Sequence, residues 1–340
     1  MKVISSILFT RGDFFMIKCA IVGATGVVGR TFLKVLEERN LNIDEYVLLA
    51  SSKSKGKKIK FMNKEYEIEE LTDKSFDNKR FDYALFSAGG QISKKFSPIA
   101  AKNGCTVIDN SSAFRMKDDV PLVVPEVNIE RAYENNGIIA NPNCSTIQAV
   151  VALNKYYKIK RIVYSTYQAV SGAGLSGIED LKNNTKNKFK YSIRNNCIPQ
   201  IDVFLENDYT KEEMKMIEET RKILGIKDLN ITATCVRVPV LNCHGESINV
   251  EFEEEFDMQE LKQNLCREEM IVLLDDPKKE IYPLQTFVDG KDEVFVGRIR
   301  RDYSVKSGIN MWCVADNIRK GAATNAVQIL QKLIEKRLGK

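Results

Sequence analysis

The chain has 340 residues, of which 44% are hydrophobic and 29% are charged, and its net charge is +5. These values are ordinary for a packed globular protein with room for two domains, and they exclude a disordered chain. The charge is small and dispersed, with no basic run interleaved with aromatic residues. It therefore argues against nucleic-acid binding and suits small anionic ligands.

The eight cysteines form neither a CxxC pair nor a regular framework. A zinc site and a secreted disulfide scaffold are therefore not expected, and no metal ligands are predicted. Several cysteines fall inside apolar runs, as reduced core cysteines do, so a reducing cytoplasm is the expected compartment. No apolar run approaches the ~20 residues needed to cross a bilayer.

Residues 1–15 make a poor signal peptide, because their short apolar patch is followed by Arg11 and Asp13 rather than by a small-residue cleavage site. Met16 is the expected functional start. The preferred explanation for residues 1–15 is an upstream start codon read into the chain, and a disordered or surface-packed extension is the alternative.

Ile17 to Val22 is an apolar strand pattern that runs into a glycine-rich turn, and a helix-like pattern follows. The turn is Gly23-Ala24-Thr25-Gly26-Val27-Val28-Gly29. Gly23 permits a tight turn, Gly26 lets a pyrophosphate approach bare backbone, and Gly29 lets the helix pack close to the strand. The pattern favours a dinucleotide site over a merely tight turn. The expected cofactor contacts are Gly23, Thr25, Gly26, Val27 and Val28.

The second strand, Tyr46 to Ala50, ends in a run of hydroxyl and lysine side chains. Its expected cofactor contacts are Ser51, Ser52, Lys53 and Ser54. An NAD site usually carries an acidic residue here to bind the ribose 2′-hydroxyl. Its replacement by hydroxyls and lysines favours a 2′-phosphate, and hence NADP, although a solvated lysine-rich loop is the alternative.

Two further strands, Tyr83 to Phe86 and Thr106 to Ile108, each lead into a small, polar loop. Because ligand-binding loops leave the carboxyl ends of strands in an open parallel sheet, both loops are expected near the cofactor. The contacts predicted from the first loop are Ser87, Ala88 and Gly89.

The stretch Asn141 to Thr146 lies between a strand pattern, Ile138 to Ala140, and a helix pattern, Ser145 to Tyr157. This arrangement places Cys144 where a strand ends and a helix begins. Unpaired N–H groups at a helix start favour a thiolate, so a lowered pKa and a nucleophilic sulfur are expected. The alternative is a cysteine that only fills space in the core.

The second half of the chain is rich in β patterns. Runs at 161–170, 229–240, 247–256, 297–303 and 311–315 predict a mixed, largely antiparallel sheet in a second domain. Amphipathic helices are predicted at Thr210 to Leu224 and Met258 to Glu269, and a long one at Asn317 to Leu338. The predicted fold is therefore α/β, with a Rossmann-type NADP-binding domain and a second, α+β domain.

A few polar residues could serve a cysteine nucleophile that acts on an anion. His244 is the only histidine, so any imidazole that works with Cys144 must be this one. Arg115 and Arg237 could each bind a carboxylate or phosphate through two parallel hydrogen bonds. Glu212 and Lys215 lie three apart on one helix face, where an exposed ion pair is the alternative to a shared site.

Seven separated motifs, in this order, resemble the aspartate-semialdehyde dehydrogenase family. They are Gly23 to Gly29, Asp109 to Arg115, Asn141 to Thr146, Gln168 to Gly174, Glu212 to Lys215, Arg237 to Val240 and Asp316 to Ala323. The resemblance covers Met16 to Leu338, nearly the whole chain. It implies reduction of aspartyl phosphate to aspartate semialdehyde by NADPH, on the pathway to lysine, threonine and methionine.

The resemblance also implies roles for individual residues. Cys144 would be the nucleophile, His244 the general acid/base, and Gln168 a residue that orients the acyl intermediate. Arg237 and Glu212 would hold the substrate's carboxylate and amino groups. The implied phosphate ligands are Arg115, Asn143 and Lys215, and further cofactor contacts would be Ser171, Gly172 and Asn317.

The family pattern further implies a domain division and self-association. The NADP-binding domain would comprise residues 16–141 and 316–340, and the catalytic and dimerisation domain residues 142–315. A homodimer or a tetramer of dimers is expected. Two departures from the pattern are Cys243, which precedes His244, and Lys53, where many relatives carry arginine, so the strictness of NADP selectivity stays open.

Three other functions compete with this interpretation. N-acetyl-γ-glutamyl-phosphate reductase performs the same reduction on a longer substrate, but Asn141 to Thr146 and the Glu212/Lys215 pair favour the aspartyl enzyme. An NADP-binding sensor would have no need for Cys144 and His244 together. A cysteine hydrolase would leave the dinucleotide motif unexplained.

Overall fold

The structure is a computed structural model that describes residues 16–153 and 157–339. The predicted extension at residues 1–15 lies outside the described residues. Within those residues, no helix combines the length and apolarity that crossing a membrane requires.

The first part of the chain builds a parallel sheet with helices around it. Its elements are β1 (Lys18–Val22), α1 (Val27–Arg39), β2 (Glu45–Ala50), β3 (Lys58–Phe61), β4 (Lys64–Glu67), β5 (Glu69–Glu70), β6 (Tyr83–Phe86), α2 (Gly90–Lys102), β7 (Thr106–Asp109), α3 (Pro125–Asn128) and β8 (Ile138–Ala140). The sheet order is β5-β2-β1-β6-β7-β8, with β3 and β4 as a separate hairpin. All of its strand pairs are parallel.

The parallel sheet follows from strands that are apolar along their whole length. All four residues of β6 are buried, as expected for a strand covered on both faces. Strand β1 lies between β2 and β6, so the loops that follow these three strands meet at one edge of the sheet. Gly29 brings α1 against this edge, because a Cβ there would lie 2.0 Å from the carbonyl oxygen of Gly23.

The middle of the chain builds the predicted mixed sheet. Its elements are α4 (Cys144–Ala152), β9 (Ile159–Gln168), α5 (Leu175–Asn183), α6 (Lys211–Leu224), β10 (Asn230–Arg237), β11 (His244–Phe252), α7 (Met258–Arg267), β12 (Ile271–Leu273), α8 (Gln285–Val288), β13 (Val294–Arg301) and β14 (Gly308–Ala315). The order is β10-β9-β11-β14-β13-β12. The three central pairs are antiparallel and the two outer pairs are parallel.

The last helix, α9 (Thr324–Arg337), returns to the first sheet. Its buried residues Ala326, Val327 and Leu330 share an apolar core with Ile21 and Leu36. The predicted continuous helix from Asn317 differs from the structure, because residues Arg319–Ala323 form a π-helical segment. This segment brings Gly321 so close to Cys144 that a Cβ on Gly321 would lie 2.9 Å from that of Cys144.

The predicted α/β fold class, with one parallel and one mixed sheet, is confirmed. The domain boundaries at 141/142 and 315/316 stay predictions. Two local predictions differ from the structure in where an element begins or ends. The helix after the cysteine begins at Cys144 and ends at Ala152. His244, expected in the loop between two β runs, is the first residue of β11, which fixes its backbone in the sheet.

Candidate active site

Cys144 is the first residue of α4 and follows directly on the carboxyl edge of the parallel sheet. Asn143 caps this helix, since its side-chain oxygen accepts hydrogen bonds from the backbone N–H groups of Ser145 and Thr146 at 3.0 and 3.3 Å. The cap uses two of the unpaired N–H groups of the first turn. Asn143 therefore fixes the direction in which the chain presents the sulfur.

His244 lies beside Cys144, with 3.2 Å between Nε2 and Sγ. The backbone N–H of Ala169 donates to Nδ1 at 3.0 Å. Because Nδ1 is an acceptor there, the proton of the neutral ring is assigned to Nε2, facing the sulfur. Burial first, and the nearby Arg237 second, lower the pKa of His244 well below its ordinary value. The ring is therefore neutral at pH 7.

The predicted thiolate at Cys144 is wrong for the protein without substrate. Burial, reinforced by the carboxylate of Glu212, raises the pKa of the Cys144 thiol to about 12. Arg237, Arg115 and the N–H of Ser145 pull in the opposite direction but do not outweigh the desolvation. The helix start does act as expected on the sulfur, but burial is the larger effect.

At pH 7 Cys144 is therefore expected to react with iodoacetamide at least about tenfold more slowly than a free thiol, whose pKa is near 8.5. The rate should keep rising through about pH 9, because the thiolate fraction grows until the pH reaches the pKa. Peptide mass spectrometry would follow Cys144, with the exposed Cys197 and Cys266 as references in the same sample. A rate already maximal near pH 6 would instead indicate a thiolate–imidazolium pair.

Glu212 and Lys215 form a buried pair rather than the exposed one that spacing alone allowed. Glu212 is 5% exposed; it accepts from the Asn143 side chain at 2.9 Å and from Lys215 at 3.0 Å. Although burial raises the pKa of Glu212, Lys215 and Asn143 hold it below its ordinary value. An ionised carboxylate therefore lies beside the cysteine helix.

Arg237 lies at the end of β10 and is 5% exposed. Its Nη1 donates to the carbonyl oxygen of Ala169 at 2.5 Å. A side chain at Gly172 would lie 3.0 Å from this Nη1 and 3.3 Å from the His244 ring, so the glycine gives both groups room. Gln168, 1% exposed at the end of β9, donates to Thr166 at 3.2 Å.

Arg115 is held by three hydrogen bonds, one of them to an acid that the sequence analysis did not identify. It donates to the backbone oxygens of Asn141 and Asn110 and to the carboxylate of Glu219. Glu219 lies on α6, seven residues after Glu212 and so on the same helix face. That spacing was the available signal.

Glu246, on β11 two residues after His244, was also missed. It is fully buried, and neither carboxylate oxygen has a hydrogen-bond partner among the described residues. Burial raises its pKa well above the ordinary value, and the Ser145 hydroxyl nearby offsets only part of this shift. A neutral carboxylic acid therefore lies behind the cysteine helix, because an unpaired buried charge would cost too much.

A cleft of about 530 Å³ joins the cysteine to the glycine turn. Its lining includes the predicted cofactor contacts Gly26, Val27, Val28, Ser87, Ser171, Gly172 and Asn317. Arg115, Asn143 and Cys144 line the same cleft. The cleft therefore brings residues suited to a dinucleotide and residues suited to a small anionic substrate together.

The glycine turn packs closely against a neighbouring loop and carries few side chains, so a dinucleotide phosphate could approach its backbone. A Cβ on Gly23, where φ is +83°, would lie 2.3 Å from the carbonyl oxygen of Ser87. The turn therefore packs directly against the backbone of Ser87 and Ala88, just before α2. Ser51, Ser52 and Lys53 are exposed and Ser54 is buried in a turn after β2, beside the glycine turn. Their contacts with a cofactor, and that of Thr25, stay predictions.

Asn317 ties the C-terminal segment to the cleft. Its Oδ1 accepts from the Cys243 N–H at 2.9 Å, and its Nδ2 donates to the Ser171 hydroxyl at 3.0 Å. The Cys243 thiol lies within 4.8 Å of the carboxylates of Asp289 and Asp316. Asp316 already accepts backbone N–H groups of Gly290 and Ile318, so this cluster anchors the chain next to His244.

Two family models match the chain. The NAD-binding domain of semialdehyde dehydrogenases matches residues 18–135, and their dimerisation domain matches residues 151–320. An aspartate-semialdehyde dehydrogenase from Aquifex aeolicus is 54% identical over 94% of this chain and 99% of its own. The Bacillus subtilis enzyme of the same name is 46% identical over 92% of this chain and 96% of its own.

Solved structures agree with the sequence relatives. Aspartate semialdehyde dehydrogenase II from Vibrio cholerae, complexed with ASA, has a TM-score of 0.90 and 47% identity, covering 94% of this chain and 98% of its own. The Candida albicans aspartate semialdehyde dehydrogenase with NADP has a TM-score of 0.74 and 26% identity, covering 95% of this chain and 99% of its own. The chain therefore belongs to the aspartate-semialdehyde dehydrogenase family of NAD(P)-dependent oxidoreductases.

Proposed function

We propose that this chain reversibly reduces L-aspartyl 4-phosphate to L-aspartate 4-semialdehyde through a thioester on Cys144. The observation that carries the proposal is the Cys144–His244 contact of 3.2 Å at the wall of a cleft shared with the glycine turn. A cysteine with an adjacent imidazole suits covalent acyl transfer, and the glycine turn suits the redox cofactor.

In the reductive direction the Cys144 sulfur attacks the acyl carbon of aspartyl phosphate and forms the thioester bond. The phosphate group leaves with the electron pair of the broken C–O bond and takes up the proton that the thiol loses. Arg115, Asn143 and Lys215 are proposed to bind the phosphate group. Arg237 is proposed to bind the α-carboxylate, and Glu212 the ammonium group. Gln168 would orient the acyl group. Fixed charges at both ends of the substrate place its acyl carbon at the sulfur.

The proposed role of His244 is to hold and exchange a proton at Nε2. From that atom it stabilises the thiolate and the oxygen anion that forms when the thioester is reduced. A full transfer from the neutral ring would leave an imidazolate, so the acid step requires a ring protonated on both nitrogens. Nδ1 would then lose its hydrogen bond from Ala169, which helps to keep the resting ring neutral.

The proposed cofactor is NADP, which supplies or accepts the hydride when bound. The residues that fit its phosphates are those of the glycine turn, and Ser171, Gly172 and Asn317 line the same cleft. Lys53 and the serines before it, Ser51 and Ser52, are exposed after β2 and would reach a 2′-phosphate. Ser54 is buried in the same turn.

The test is NADP reduction by the full-length protein with aspartate semialdehyde and phosphate, with NAD in parallel. Phosphate-dependent reduction of NADP is the expected result. The reverse reaction with aspartyl phosphate and with the acetylated glutamyl phosphate separates the two reductases. Turnover of only the acetylated substrate would overturn the aspartyl assignment, and no turnover of either would overturn the enzyme assignment.

We further propose that two chains associate through the exposed face of the mixed sheet. Tyr167 and Trp312 pack together there, with ring centroids 5.6 Å apart. The exposed Tyr282 and Leu284 line a groove beside Trp312. Such a patch is typical of an interface between subunits. Light scattering should give twice the mass of one chain, or four times if dimers pair, and a monomer would contradict the proposal.

The cytoplasm is the proposed compartment. All eight cysteines are free thiols, and the proposed nucleophile is one of them. A reducing environment would keep that sulfur available, whereas an oxidising one would favour its loss to disulfides or sulfenic acid.

A further inference from the structure

Glu219 is an acidic side chain whose exposed fraction is only 1%, and no catalytic step uses it. It projects from α6 on the same face as Glu212 and Lys215. Acidic side chains are rarely buried unless both oxygens are bound, so its two partners indicate what holds it there.

Both partners of Glu219 belong to the candidate active site. Oε1 accepts a hydrogen bond from Nη1 of Arg115 at 3.0 Å. Oε2 accepts from the backbone N–H of Asn143 at 2.6 Å. One carboxylate thus bridges a guanidinium and the residue immediately before the nucleophile. Among the described residues no hydrogen bond joins Arg115 directly to Cys144. This bridge therefore helps to set the distance between the guanidinium and the start of α4.

The remaining contacts of Arg115 show what the bridge leaves free. Its Nε donates to the carbonyl oxygen of Asn141 at 2.9 Å and its Nη2 to that of Asn110 at 3.0 Å. With Glu219 these bonds use three of the five N–H groups of the guanidinium. Arg115 also lines the cleft that contains Cys144. The other N–H groups can therefore bind an anion in that cleft.

We infer that Glu219 is a positioning residue, which holds the guanidinium of Arg115 and the Asn143–Cys144 corner in one fixed arrangement and thereby places the phosphate group next to the sulfur. This inference rests on the proposed role of Arg115 as a phosphate ligand. Glu219 does not touch the substrate. Its carboxylate also pairs with the guanidinium of Arg115, so the anion-binding capacity of Arg115 lies in the N–H groups that its three hydrogen bonds leave unused.

The test is the variant Glu219→Gln, assayed for NADP reduction with aspartate semialdehyde and phosphate. Glutamine has the same shape, but its NH₂ group faces a donor and breaks one of the two hydrogen bonds. The KM for phosphate should rise about tenfold or more, because Arg115 loses the charge-assisted hydrogen bond to Glu219 that orients its guanidinium toward the phosphate group. The KM for NADP should stay within about twofold, because the glycine turn is not involved.

Thr220→Val is the matched control. Thr220 is the next residue on α6, is fully buried, and shares a hydrogen bond of 3.2 Å with Tyr164 away from the cleft. This variant removes a buried hydrogen bond from the same helix, so it should lower the thermal midpoint without raising the KM for phosphate. If Glu219→Gln cannot be obtained folded, Glu219→Asp replaces it, since a shorter acid cannot span both donors.

Arg115→Ala separates this inference from the proposed function. If Arg115→Ala raises the KM for phosphate and Glu219→Gln does not, the positioning role is overturned and the role of Arg115 stands. If neither variant changes that KM, the phosphate role of Arg115 is overturned as well. An equal rise in Glu219→Gln and Thr220→Val would reduce Glu219 to a purely structural residue and overturn the inference.

Discussion

Cys144→Ala is expected to lower phosphate-dependent NADP reduction by about 10⁴-fold or more, because the acyl group then has no sulfur to which it can be transferred. The arginines and the imidazole that surround the site would remain, but none of them can form the thioester. Steady-state assays with aspartate semialdehyde and phosphate measure this loss. A residual rate near that of the wild type would mean that no covalent intermediate forms on Cys144.

NADP binding should survive this substitution. The cofactor contacts proposed from the glycine turn, Ser171 and Asn317 do not depend on the sulfur, although Cys144 shares the cleft with them. Isothermal titration of NADP into the variant should give a Kd within about threefold of the wild-type value. Cys197→Ala, at an exposed cysteine, is the matched control for handling and oxidation. A loss of cofactor affinity equal to the loss of activity would contradict the separation of the cofactor contacts from the nucleophile.

The fold could be predicted from sequence because each element carries a local signal. Strand β6 is apolar throughout, and Gly23 and Gly29 after β1 are required by close packing that a side chain would prevent. Both signals can be recognised within a few consecutive residues of the sequence. The π-helical segment has no such signal, because the close approach of Gly321 that it allows is to Cys144, which is far away in sequence.

The candidate site could be predicted less completely because its electrostatics depend on distant residues. A helix start near Cys144 predicted a lower pKa, but burial and the carboxylate of Glu212 produce the opposite shift. Glu219 was missed because an acid on a polar helix usually faces water. Only the fold shows that this face of α6 meets the backbone at Asn143.

His244→Ala is expected to lower kcat by about 10²–10⁴-fold, the usual contribution of a positioned acid or base. His244→Gln discriminates between two roles of the imidazole, because an amide can donate a hydrogen bond to the Cys144 sulfur but cannot carry a proton. If hydrogen bonding alone is needed, glutamine should recover part of the loss. If proton exchange at Nε2 is needed, the glutamine variant should be as slow as alanine.

The pH profile of the wild type shows whether activity requires His244 in its neutral or its protonated form. Semialdehyde oxidation releases a proton, which His244 can take up at Nε2 only when the ring is neutral and its own proton has moved to Nδ1, so kcat/KM should fall as the pH drops through the pKa of His244. Because burial and Arg237 hold that pKa well below 6.5, this acid limb should lie below pH 6.5. The limb should disappear in His244→Ala, since no other histidine is present to produce it. An acid limb retained in the variant would assign it to another group and remove the imidazole from the rate-determining proton transfer.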